Sequence, residues 1–264
     1  MNGSKIGDHV LDPAQTDYEQ RVFYVVYDIS QNLRQGKNAV GVILGNGWYN
    51  QDVAKIERFG WRNVIYGKPG LIAQIRVSYI DGTEAVLTTD ESWKCSAGPV
   101  TMNNIYQGEF YDARLEKPGW NTPGYGDTGW SRAEIVDGPG GRPVSQKIQP
   151  VKKVQTIKPV SIKNPEPGVF VYDMGRNFAG WVKLKLQAKK GTTIQLRFAE
   201  TVLGNGMIDP ASTGVYATGV VQTDRYTCKG EGLEVWEPQF TYHGFQWQVD
   251  RNNYKWDISV PVNK

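Results

Sequence analysis

One stretch of the chain gathers the residue types that hold a sugar. The segment LGNGWYNQDVAKIERFGWRN, residues 44–63, carries Asn46, Trp48, Tyr49, Trp61, Arg62 and Asn63 on a loop that leaves an apolar run. A sugar ring offers an apolar C–H face rimmed by hydroxyls, so a flat aromatic covers the face while an amide or guanidinium bonds the rim. These residues are the candidate carbohydrate-binding set. The same composition has a second reading, in which Trp48 and Trp61 plug the end of a β-sandwich core. Both stay open on the residues alone.

Other chemistries find less material. Glycoside hydrolysis needs two carboxyl groups flanking one bond, and Asp112, Asp127, Asp173, Glu200, Asp209 and Asp224 are the acids to consider. In a chain rich in turns such acids mostly shape turns or face solvent, so no catalytic residue is assigned. With two histidines, His9 and His243, a histidine base or His-rich metal cluster has little to build on. His243, within TYHGFQW, reads as a strand residue packed among aromatics. LGNGWYN and LGNGMID contain Gly-x-Gly, but neither continues into a phosphate-binding motif. Cys95 and Cys228 are far apart and lack metal-ligand spacing.

The elements that must carry these residues read as strands. Nine tryptophans, fourteen tyrosines and thirty glycines in 264 residues, without long helical periodicity, predict an all-β chain of many short strands joined by turns. The runs RVFYVVYDI (21–29) and AVGVIL (39–44) are expected strands. In LIAQIRVSYIDGTEAVLTTDESW, Leu71, Ala73, Ile75, Val77 and Tyr79 share a face, with Asp81-Gly82 as a two-residue hairpin turn. In WVKLKLQAKKGTTIQLRFAE, Val182, Leu184 and Leu186 point one way, and after Lys190-Gly191 the chain returns Ile194, Leu196 and Phe198 to the apolar side. Gly- and Pro-rich sequence from Pro118 to Pro150 sets a boundary near residue 150, giving domains 1–150 and 151–264. The tail RNNYKWDISVPVNK has no companion segment in this reading. A net charge of +3 argues against a nucleic-acid partner. No membrane span or leader segment is evident, so the chain as it stands reads as cytoplasmic.

Several phrases, in order, resemble the bacterial α-L-rhamnosidases of glycoside hydrolase family 78: NGSKIGDHVLDPAQTDY, VYDI, LGNGWY, TTDESWK, YQGEFYDARLEKPGW with GYGDTGW, VYDMGRNFAGWVKLKL, LRFAE and TYHGF. The resemblance implies an all-β fold of two β-sandwich, jelly-roll-like domains, an amino-terminal one before residue 150 and a concanavalin-like one after it. It also implies that hydrolysis belongs to an (α/α)6 barrel to which no segment here is similar. The expected function is therefore that of non-catalytic accessory domains, with L-rhamnose or a rhamnose-containing glycan and the barrel as partners. Calcium is admitted as a ligand, no other cofactor is expected, and a periplasmic or secreted parent enzyme stays open. Arg176, Asn177, Trp181 and Glu200 fall in matching motifs, with structural or barrel-facing duties implied. The Asn2-Gly3 turn implies that Met1 stands in place of a strand pairing residues 6–11, leaving an edge open to a second copy of the chain. An autonomous carbohydrate-binding module and an inactive gene remnant are the alternatives.

Overall fold

The computed structural model describes residues 1–51, 66–213 and 222–250, together with the backbone of 256–261. Its spine is the strand Val169–Leu186, 18 residues long. Buried Val182, Leu184 and Leu186 alternate with less buried Lys183 and Lys185, the period-2 pattern of a strand with one face in a core. Halfway along, the register slips between Asp173 and Phe178, and Gly175 takes φ +78°, where an L side chain would be strained. This bulge bends the strand from one sheet into another. Before it, the strand pairs with Ser161–Glu166 and with the end of His243–Asp250, whose first residues pair with Phe178–Gly180 just past the bulge. Beyond it, Trp181–Leu186 pairs with Trp256–Pro261 and Glu234–Trp236.

Two sheets thus face each other across one shared strand, as in corner-forming sandwiches. The first continues through Thr193–Ala199 and Thr223–Thr227, and the second adds Val151–Ile157 beside Trp256–Pro261. Between them lies a core of Tyr172, Met174, Val182, Leu184, Leu186, Ile194, Leu196, Phe198, Tyr226, Trp236 and Phe245. The strands expected around Trp181 and Ile194 supply most of its aliphatic part. The outer face of the first sheet is covered by the 200–213 loop, where Val202, Met207 and Ile208 pack on Val169, Val171, Ala199, Trp247 and Val249.

The first sheet does not stop at the carboxy-terminal half. Strand Gly108–Asp112 lies parallel to Thr223–Thr227, and Val100–Asn104 follows as its antiparallel neighbour. The rest of the amino-terminal half is built on three short ladders: Arg21–Tyr24 with Arg142–Ser145, Gln74–Ser78 with Glu84–Thr88, and Lys94–Cys95 with Ser131–Arg132. The molecule is all-β, as its composition predicts, in β-sandwich form.

Some local expectations need correction. The expected 21–29 strand is a ladder only over Arg21–Tyr24, and AVGVIL forms no ladder strand. Its backbone is taken instead by tertiary contacts: Ala39 exchanges hydrogen bonds with Asn2, and the Trp120 ring lies where a side chain on Gly41 would be. The Asp81-Gly82 hairpin closes by a three-residue loop, since Tyr79 N–H donates to Thr83 O at 2.8 Å and Gly82 sits at φ +82°. Ala73, Ile75 and Val77 are the half-buried face, while Leu71 and Tyr79 are exposed.

Asn2-Gly3 is a true tight turn, with φ of 51° and 86° and two backbone bonds between Met1 and Ser4. Asn2 is buried, and its amide bonds Asn32 O, Asn38 Oδ1 and Ala39 N–H. The open edge expected at residues 6–11 is occupied at His9–Val10, which pairs with Val151–Lys152. The tail also has companions: Trp256–Pro261 lies between Val151–Ile157 and Trp181–Leu184. Neither partnership is visible locally, because both join residues distant in sequence.

Gly108, at φ +131°, is the tightest point of the interface between the halves, because a Cβ there would fall 1.9 Å from Thr223 O. Replacing Gly108 by Ala forces backbone strain and backbone overlap together. The expected loss is about 2–4 kcal/mol, read as a lower urea midpoint; an unchanged midpoint would refute this account of the contact.

Candidate functional site

Three of the motif segments meet at one place: the loop at Gly45–Tyr49, the turn at Asn103–Glu109, and Gln239–His243. The first two belong to the amino-terminal half and the third to the carboxy-terminal sandwich. Asn46 fixes the loop to the turn twice, its N–H donating to Asn103 Oδ1 at 2.6 Å and its Nδ2 to Asn103 O at 2.9 Å. Asn104 shapes the turn by accepting from the N–H groups of Tyr106 and Gln107 at 2.9 and 3.1 Å. The Trp48 ring meets Tyr106 edge-on at 5.7 Å.

The carboxy-terminal half closes on this pair. The Phe240 ring lies 2.2 Å from where a Cβ on Gly45 would sit, so glycine there permits the close approach. Thr241 Oγ1 donates to Ile105 O at 3.3 Å, and Ile105 is fully buried. Glu109 Oε2 accepts the backbone N–H groups of Gln239 and Phe240, each at 2.9 Å. Behind it, Asp224 Oδ1 accepts from Glu109 N–H at 2.9 Å and from His243 Nε2 at 3.0 Å, while Phe198 stacks on His243 at 4.2 Å. Burial pushes the Glu109 carboxyl up to about 8, with the two backbone N–H groups opposing and the Asp224 charge adding to the rise.

Of the expected sugar-binding set, Asn46, Trp48 and Tyr49 lie on this loop. Asn46 spends its amide on Asn103. Trp48 is half-buried. Tyr49 turns toward a separate tyrosine cluster, stacking on Tyr66 at 5.7 Å and meeting Tyr18 edge-on at 5.2 Å. Burial there raises the Tyr18 hydroxyl to about 12. Trp61, Arg62 and Asn63 lie outside the described residues.

The acids considered for catalysis are dispersed into structural contacts. Asp112 caps a short 3-10 turn and pairs with Arg114 at 2.7 Å, and Asp127 pairs with Lys94 at 2.7 Å. Asp173 accepts from Gly175 N–H and Gln246 Nε2, and Asp209 from Ala211 N–H. Asp224 is inside the junction. Glu200 is exposed, its N–H donating to Ser212 Oγ. Among the described residues, no three His, Cys, Asp or Glu side chains assemble as a metal would require.

His243 is, as expected, a strand residue against an aromatic ring. Glu109 was not anticipated. Its signal was present in YQGEF, a Gly-Glu pair inside an apolar-aromatic strand, but its partners are more than a hundred residues away.

Residues 1–155 match the family described as α-L-rhamnosidase N-terminal domain, and residues 163–255 that described as bacterial α-L-rhamnosidase concanavalin-like domain. An α-L-rhamnosidase of Formosa agariphila is 43% identical over 249 residues, covering 94% of this chain and 26% of that protein. One from Streptomyces avermitilis is 37% identical, covering 94% and 23%. Among solved structures, the α-L-rhamnosidase from Dictyoglumus thermophilum superposes with a TM-score of 0.88 at 41% identity, over 100% of this chain and 29% of that one. The Streptomyces avermitilis α-L-rhamnosidase complexed with L-rhamnose gives 0.86 at 33% identity, over 99% and 25%. The chain therefore spans about a quarter of the length of the curated relatives it matches.

The fit of Phe240 over Gly45 gives a coupling test. Gly45→Ala is expected to cost about 1–3 kcal/mol by overpacking. In a Phe240→Ala background the same change should cost much less, leaving an interaction energy of about 0.5–3 kcal/mol in a double-mutant cycle. Strict additivity of the two changes in urea unfolding would show that the halves do not meet there.

Proposed function

This chain belongs to the α-L-rhamnosidase family, and we propose that its two β domains act as a non-catalytic accessory region of such an enzyme. The observation carrying this reading is what the family-like motifs do. LGNGWY, YQGEFYDARL and TYHGF converge to join one β domain to the other by backbone bonds, close glycine contacts and a buried carboxyl. Such a junction fixes two domains as one scaffold. A glycosidase centre instead holds two carboxyls apart across an accessible cleft, whereas here Asp112, Asp127, Asp173 and Asp224 are each engaged in a structural contact. The scaffold's partner in this reading is the catalytic barrel of the family.

L-rhamnose binding by the 44–63 loop is the finer part of the proposal. It is supported by Trp48, a half-buried indole held edge-on by Tyr106. Asn46 then acts by positioning the loop through Asn103 rather than by touching sugar. Trp61, Arg62 and Asn63 complete the proposed subsite.

The purified chain incubated with an aryl α-L-rhamnoside is expected to release no phenol above the uncatalysed rate; sustained turnover would overturn the accessory reading. Independently, L-rhamnose titration is expected to give a saturable signal that Trp48→Ala abolishes while the circular dichroism spectrum is retained. Equal titration by both proteins would remove Trp48 from the subsite.

A further inference from the structure

The junction contains two carboxyl groups and one imidazole, all buried, and among the described residues no lysine or arginine is paired with them. Glu109 and Asp224 are 0% exposed and His243 is 1% exposed. Each has one polar atom without a hydrogen-bond partner among the described residues: Glu109 Oε1, Asp224 Oδ2 and His243 Nδ1. Among the described residues, the bases on the packed strands face away or are engaged elsewhere: Arg197 lies on the face of its strand opposite Phe198, against Met207, Ile208 and Pro210. Arg225, on the strand of Asp224, lies over the Phe110 ring and bonds Gln195. Lys229 pairs with Glu116, and Lys153 and Lys183 pair with Glu237.

The other titratable groups on the packed elements are acids or phenols. They are Tyr106 in the turn, Tyr111 on the strand of Glu109, Glu237 and Tyr242 on the segment that Glu109 clamps, and buried Asp250 on the strand of His243.

A dry site of this composition favours the least charged arrangement, because an uncompensated buried ion costs several kcal/mol, on the order of the penalty for an unpaired buried charge. In that arrangement Glu109 is held as the neutral acid, which the Asp224 carboxyl beside it favours. We propose that Glu109 is a proton-held latch between the two β domains: as the acid it clamps the 100–112 hairpin onto Gln239–Phe240, and loss of its proton loosens that clamp. The protonated oxygen is Oε1, leaving Oε2 to accept the two backbone N–H groups. Ionisation adds a negative charge to the buried site beside Asp224, and the junction opens toward water to solvate it.

The direction of the pH effect follows from the raised carboxyl. A group that titrates near 8 when folded and near 4.5 when unfolded binds its proton more tightly in the folded chain. Its stabilising effect is complete below the unfolded value and is lost as pH rises through the folded one. Across that interval the unfolding constant should rise by up to about tenfold per pH unit.

The test compares the whole chain with Glu109→Gln, which is neutral at every pH and keeps an oxygen acceptor for Gln239 and Phe240. In urea unfolding from about pH 4 to about pH 9, the variant is expected to lack the rise in unfolding constant that the parent shows between its unfolded value near 4.5 and its folded value near 8, and to match the parent only at the acid end, where Glu109 is protonated in the folded and the unfolded chain alike. The parent should also show the infrared carbonyl band of a protonated carboxylic acid at neutral pH, disappearing near pH 8, with faster hydrogen exchange at Gln239 and Phe240 as it does. Asp224→Asn, which removes the neighbouring charge, should lower that midpoint. If Glu109→Gln does not fold, the infrared titrations of the parent and of Asp224→Asn decide alone. Parallel pH profiles for parent and Glu109→Gln, or a band that vanishes in the ordinary carboxylate range, would overturn the latch.

Discussion

The constraint on which the rest depends is the backbone approach of Gly108 to Thr223. Thr223 N–H donates to Gln107 O at 2.7 Å, and Arg225, Tyr226 and Thr227 then run in parallel register with Phe110, Tyr111 and Asp112. A side chain at Gly108 would occupy the position of the Thr223 carbonyl. With hydrogen there, the sheet of the concanavalin-like domain extends without interruption into the amino-terminal domain. Glu109 follows at once, so its carboxyl enters the interior at the only depth from which it can reach the backbone of Gln239 and Phe240. The Trp48 loop is carried by the same hairpin through Asn103, and its geometry is therefore inherited from the junction.

The interior at this seam is polar where a purely apolar filling would serve cohesion. Replacing buried ionic groups by well-packed apolar residues is often neutral or stabilising, so a buried carboxyl is weak evidence for stability as such. What Glu109 adds is direction. Two converging N–H groups and one acceptor oxygen define a single seating of segment 239–240, whereas an apolar contact would tolerate sliding. Glu237 has a similar role on the opposite sheet, accepting from Trp181 Nε1 at 3.0 Å while Lys153 and Lys183 approach it. Burial works to raise its carboxyl, but those donors and charges hold it below the usual range. The two carboxyls differ because Glu237 has lysines beside it, whereas the charged group acting on Glu109 among the described residues is Asp224.

Much of the fold was legible because alternation is local. Val182, Leu184 and Leu186, then Ile194, Leu196 and Phe198, announce their face by period alone, and all are buried. Ala73, Ile75 and Val77 do the same more weakly in a hairpin whose turn is one residue longer than Asp81-Gly82 suggests. What stayed hidden depends on distant partners. AVGVIL has strand composition but its backbone answers to Asn2 and Trp120, and the 256–261 segment gains its place from Val151–Ile157 and Trp181–Leu184. At the candidate site, Asn46 and Trp48 were visible as sugar-binding chemistry. Their commitment to Asn103 and Tyr106 was not, since no spacing rule links residues that far apart. Glu109 escaped for the same reason: a lone acid in a strand reads as solvent-facing until its neighbours are known.

The parallel seam also sets an order of events during synthesis. Glu109 and Asp224 are 115 positions apart, and strand 108–112, already paired with 100–104, gains its second neighbour only when strand 223–227 exists. Chain emerging from a ribosome therefore cannot complete the amino-terminal domain as an independent unit, and its hairpin waits with one edge unsatisfied until the later strands appear. Closing so long a loop before any reward is entropically slow, and waiting edges are where nascent chains stick to one another. The close-packed glycine and the buried acid at the seam thus govern how this pair of domains is made as well as how it is held.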